Sequence, residues 1–276
     1  MKRKVFKKLY TNGSIGGGAA DIPFFTQFGT PSNAFSFRDL RGDNPTVVKV
    51  KRGNDDAVET FTASQVQAKT PLHTFAAAGG VANAALTIEI VYNQVDGGKN
   101  LYTSTKNGSP YLLFASGGIP EVQVINEKPA INISGSRLIL VEQNFSDTVT
   151  NSFRVFHPTG NSTYRFFQDT YASPVKYGYD AISGNTDSVL FLEYGSPSLA
   201  INGSSVSPSN KAALYTLVND VKHLQTIENE DLSDWFQMRI GNGDYNGFIG
   251  DMITYPATTT IDTSGINANI QDFYGL

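Results

Sequence analysis

Six acids stand near the ends of apolar runs, where a side chain could do chemistry: Glu121, Glu127, Asp187, Glu193, Asp244 and Asp251. Cleaving a glycosidic bond needs two carboxyl groups flanking that bond, about 5–10 Å apart. Sequence spacing does not say which two of the six converge. Glu193 is the least typical, an acid inside Leu192-Glu193-Tyr194-Gly195. An outward position on an alternating strand is the plainer account of it. Saccharide recognition would instead use aromatic planes for the apolar sugar face and polar groups for the hydroxyls. Trp235 is the only tryptophan, and Tyr171, Tyr177, Tyr179 and Tyr245 are candidate glycan-binding platforms beside it. Interface packing or edge burial would explain the same tyrosines. Cysteine is absent, and the three histidines, His73, His157 and His223, are widely spaced. Thiolate sites are therefore excluded, and no metal or cofactor is expected. The oxygen-rich turns 96–100 and 241–247 offer one Asp each, too few for calcium. Arg41-Gly42-Asp43 is a three-residue match that reads as an ordinary turn.

These residues must be positioned by strands. Ala34 to Arg38 alternates apolar and polar, as a half-buried strand should. Residues 46–52 and 57–61 flank Gly53-Asn54-Asp55-Asp56 as a hairpin. A long strand follows over 85–92. Shorter β-rich runs cover 111–114, 121–125, 129–133, 137–142, 152–156, 163–168, 175–180, 188–194, 198–201, 213–218, 222–227, 236–240 and 247–254. Two helices are expected. One runs from Ala63 to Lys69, with Thr62 as N-cap and Pro71 beyond its end. The other runs from Thr263 to Phe273, with Ile266, Ile270 and Phe273 on one face. Many short strands at even spacing with little helix predict an all-β fold, an antiparallel two-sheet jelly-roll sandwich. No linker divides residues 29–276, so they read as one domain.

The net charge of −4 is unevenly spread. The first ten residues hold five cations (Lys2, Arg3, Lys4, Lys7, Lys8) and no acid, so the remainder carries −9. A negative body argues against nucleic-acid binding. The basic start lacks the apolar run of a secretory signal, and no stretch reaches the roughly 18 apolar residues of a membrane span. Residues 1–28 read as an assembly arm docked on a neighbouring subunit. Its contacts would be Lys2, Arg3, Lys4, Phe6, Lys7, Lys8, Phe24, Phe25 and Phe28.

Four ordered segments carry a resemblance: AFSFRDLRG (34–42) with TVVKVKRGNDDAVETF (46–61), IEIVYNQVDGGKNLY (88–102), NEKPAINISGSRLIL (126–140), and the closing piece 236–276. Together they resemble the concanavalin A-like, laminin-G-like jelly roll of phage virion proteins. That domain is also similar to the catalytic domain of α-L-arabinofuranosidase B. The resemblance implies a jelly roll. It departs from the arabinofuranosidase pattern in three ways: there is no adjacent cysteine pair, no Gly-Asp-Glu-Pro-like stretch, and Asn93 stands where that pattern has Asp.

The expectation is thus a non-enzymatic structural protein of a tailed-phage virion, a capsid decoration or tail-associated subunit assembling through its arm. Its partners would be other virion proteins and further copies of itself, with neither nucleic acid nor membrane insertion. It would be made in the host cytoplasm and reside in the virion. A receptor-binding fibre or adhesin module that grips host-surface glycans is the alternative, and a glycoside hydrolase comes third.

Overall fold

The computed structural model describes residues 22–78, 80, 84–103, 111–114, 121–133, 137–140, 149–160, 163–165, 168–169, 176–177, 179–190, 197–232, 238–241 and 245–276. The fold is an all-β antiparallel sandwich with a short C-terminal helix. The inner sheet is built on three long strands. These are β6 (Val149–Pro158), β9 (His223–Asp231) and β10 (Gly247–Pro256). β10 pairs on one side with β6, and on the other with β1 (Asn33–Phe35) and β5 (Ile131–Ile133). Beyond β9 lie β7 (Ser198–Ile201) and β8 (Ser204–Val206). Their two-residue turn, Asn202-Gly203, has both φ angles positive, the geometry that twist-matched hairpins need.

The outer sheet starts at β3 (Val58–Thr62), β2 (Thr46–Arg52) and β4 (Leu86–Val91). It continues through the short strands Leu101–Thr103, Arg137–Leu140 and Met238–Gly241. Between the sheets lies the larger core, with Val48, Val50 and Ile88 from one layer meeting Phe156, Ile227 and Ile249 from the other. A second core fills the opposite face of the inner sheet. There Phe153, Val155, Ile253 and Tyr255 pack under two helices, α1 (Phe24–Phe28) and α5 (Thr263–Tyr274).

Helix chemistry explains what the strand pattern missed. α2 (Ala63–Ala68) starts at Thr62 as expected, closed by a capping box with Gln65. Pro71 does not end the helical region. It sits in the first turn of α3 (Thr70–Ala77), where its missing N–H costs nothing. The strand expected over 213–218 is a helix, α4 (Lys211–Val218). Asn210 caps it by accepting from the Ala213 amide, and Leu214 and Val218 share its buried face. Among the described residues, no helix is long and apolar enough to cross a membrane.

Candidate functional site

Side chains alternate along β6. Phe153 and Val155 enter the second core, while Ser152, Arg154 and Phe156 point between the sheets. Regular alternation along β9 would send Glu230 to the helix side with Glu228. A bulge prevents this. Thr150 pairs with Glu230 but Ser152 with Ile227, so Asn151 faces two residues. Asn229 takes the extra position at φ 61°, and its amide donates to the Asn151 side chain at 3.1 Å. The bulge turns Glu230 into the space between the layers, the kind of re-aiming for which bulges recur near functional sites.

There Glu230 meets a preformed set of donors. Arg154 donates to both its carboxylate oxygens, one at 3.1 Å. The Ser152 hydroxyl donates to Oε2 at 2.7 Å and accepts from Arg154 at 3.1 Å. Thr150, Ser152, Arg154 and Glu230 are all buried, so this pair is strongly held in a low-dielectric setting. Burial lowers the Arg154 pKa, opposed by the Glu230 charge. Gln225, opposite Arg154 in register, is fully buried, and its amide oxygen and nitrogen have no hydrogen-bond partner among the described residues. An amide in this state can both give and accept a bond, as a hydroxyl-bearing ligand requires.

The segment joining β6 to β9 contributes Tyr179, on which the Glu230 charge acts. Tyr179 donates to the Pro197 carbonyl at 3.1 Å. Burial, aided by the Glu230 charge, pushes its pKa up to about 12. Next to it, buried Asp180 pairs with Lys211 at 3.3 Å, and Lys211 also reaches Asp187 at 3.2 Å. Tyr164 stacks on Tyr215 of α4 and bonds Asn219.

Several expectations are corrected. Tyr179 and Tyr245 are core residues, 5% and 0% exposed, and offer no stacking face. The Tyr245 hydroxyl is spent on the Phe248 carbonyl. Trp235, Tyr171, Glu193 and Asp244 lie outside the described residues. Tyr177 ends a short strand, Lys176–Tyr177, and Glu121 begins another. Glu127 is an exposed turn residue. Asp251 is no reactive acid at a strand end. It is fully buried under α5, taking bonds from Ser36 at 2.6 Å, Arg38 at 2.8 Å and Tyr274 at 2.9 Å. Arg41 pairs with Asp43 and Asp96, so the Arg-Gly-Asp turn is internally tied. The turn at 96–100 is organised by Asn93, which bonds Lys99 and Asn100. Among the described residues, no cluster of three or more metal-ligating groups occurs.

The arm is corrected in part. Phe24 is 4% exposed in the second core of its own chain, with Phe25 and Phe28 packed against that core. A boundary after residue 28 would cut through packed structure. Lys2, Arg3, Lys4, Phe6, Lys7 and Lys8 lie outside the described residues.

The Ser152–Arg154–Glu230 cluster was not legible beforehand. Arg154 and Glu230 are 76 residues apart, and only the bulge brings them to one face. An arginine inside the apolar run Phe153–Phe156 was the available signal.

No family model matches the chain, and no curated protein matches it. Solved structures do. A GH54 α-L-arabinofuranosidase soaked with a cyclic sulfate inhibitor is 13% identical, with a TM-score of 0.50. An arabinofuranosidase complexed with arabinofuranosyl-α-1,2-xylobiose is 16% identical at 0.48. A GH54 variant soaked with 4-nitrophenyl α-L-arabinofuranoside is 16% identical at 0.49. Each match covers 87% of this chain and 62% of the other, so this chain spans less than two thirds of those proteins. At this identity the likeness is one of fold. The expectation of a non-enzymatic protein is corrected: it rested on missing motifs, and the fold shared at a TM-score of 0.50 is that of a GH54 α-L-arabinofuranosidase.

Proposed function

We propose that this chain is a glycan-directed jelly roll that holds a furanosidic sugar between its sheets. The observation that carries the reading is the bulge-directed Glu230, buried with Arg154, Ser152 and the unpartnered Gln225 amide in a sandwich of arabinofuranosidase-like fold. In this reading Gln225 and Ser152 bind sugar hydroxyls. Glu230 supplies the negative charge that faces the positive charge developing at the anomeric carbon. In the same proposal a phage particle carries the module, and for this the sequence resemblance is the only support.

The test is a glycan array followed by turnover of 4-nitrophenyl α-L-arabinofuranoside. The wild-type chain should bind arabinofuranosyl-bearing glycans and release nitrophenol. Glu230→Gln should reduce turnover at least 100-fold. Because it leaves the Arg154 charge buried without its partner, at a cost of roughly 3–5 kcal/mol, turnover is compared on protein that circular dichroism shows to be folded. An inactive wild type that binds none of the furanosides defeats the reading.

A further inference from the structure

An open groove of about 340 Å³ runs between β3 and α3. Phe61, Pro71, Phe75 and Ala78 line it, with Glu59 and Thr74 on the rim. Phe61 is the floor, 1% exposed, and the Phe75 ring sits 5.9 Å from it. Arg52 lies over Phe75 at 4.6 Å and is neutralised by Asp55. Glu59 shares the Phe61 face of β3 and has no ion pair among the described residues. Among those residues β3 pairs only with β2, so its outer edge is open. Val58, at the start of that edge, is 49% exposed. An apolar floor, an exposed acid and an open strand edge together suit an extended, basic, partly apolar peptide.

We propose that this groove receives the first ten residues of a second copy of the chain. The segment Lys4-Val5-Phe6-Lys7-Lys8-Leu9 has the matching chemistry, with apolar side chains for the floor and cations for Glu59. Twenty-one residues precede Ile22, a reach of roughly 70 Å when extended at about 3.3 Å per residue. The root of that segment is anchored by α1 in the second core, whereas the groove opens over the first. The arm would add as a strand beside β3, with backbone bonds providing affinity and the Phe6–Phe75 and Lys–Glu59 contacts providing register. This inference does not depend on the glycan reading.

The experiment uses the chain lacking residues 2–21, which keeps every described residue, together with a peptide of residues 1–12. The peptide should bind, and Glu59→Lys should weaken it at least tenfold. A peptide carrying Lys7→Glu and Lys8→Glu should bind the Glu59→Lys protein better than it binds wild type. Light scattering should show the full chain as an oligomer, lost in the truncation and in Glu59→Lys. No peptide binding, or equal binding by Glu59→Lys, overturns the proposal. So does a full chain that stays monomeric well above the peptide Kd, which would mean that the arm binds its own subunit.

Discussion

His223 is fully buried on the interlayer face of β9, with its Nδ1 2.9 Å from the Val221 carbonyl. Burial lowers its pKa from 6.5 to about 4. The folded state therefore resists a proton that the unfolded chain accepts. The associated stability is fully present above pH 6.5 and is lost as pH falls from 6.5 toward 4, to a total of about 3 kcal/mol. Urea titrations at pH 7 and pH 4.5 should show this loss in the wild type. His223→Phe should flatten that part of the profile, and an unchanged slope would move the cause elsewhere. Polarity is also a poor guide to exposure in this chain. Ser36 and Arg38 alternate with phenylalanines, yet both are buried. Asp251, 213 residues from Arg38, supplies the partner that makes burying them tolerable.

At the scale of elements, α5 is held as a lid on the inner sheet. Ile266, Ile270 and Tyr274 form its buried stripe, Asp262 caps its start, and Gly275 closes it in the left-handed region. The sequence stripe named Phe273 in place of Tyr274. The Phe273 ring instead lies beside Arg38 and Lys128, 4.8 Å from each. Gly250 lets Tyr274 approach, since a Cβ there would fall 2.7 Å from the phenol oxygen. Gly250→Ala should push the ring off Asp251 and destabilise the fold by about 1–3 kcal/mol. Chemical denaturation checks the size, and faster amide exchange confined to α5 checks the place. Helix ends were readable because caps are local. α4 was not, because a short helix with few polar positions has the same apolar density as a strand.

For the whole molecule, the two cores give the N-terminal region two different parts. Residues 24–28 are structural: Phe24 contacts Phe28 at 4.9 Å and lies under Arg38 at 5.2 Å. Deleting residues 2–21 should leave the melting temperature nearly unchanged. Deleting 2–28 should lower stability by at least the 3–5 kcal/mol typical of losing one buried Phe. Calorimetry of both truncations decides this, and equal melting temperatures would mean that α1 contributes nothing to the second core.

Period-two alternation, turn residues and the terminal amphipathic run were enough to determine an all-β sandwich with a helix at its end, because each is a local consequence of backbone geometry. Tertiary structure decided which polar residues are buried and with whom. Arg154 with Glu230, and Arg38 with Asp251, are pairs made across strands that are distant in sequence. Their cost in a low-dielectric interior is met only when both partners arrive together. One bulge residue, Asn229, determines which face Glu230 occupies, and a one-residue shift of register leaves no mark in the strand pattern.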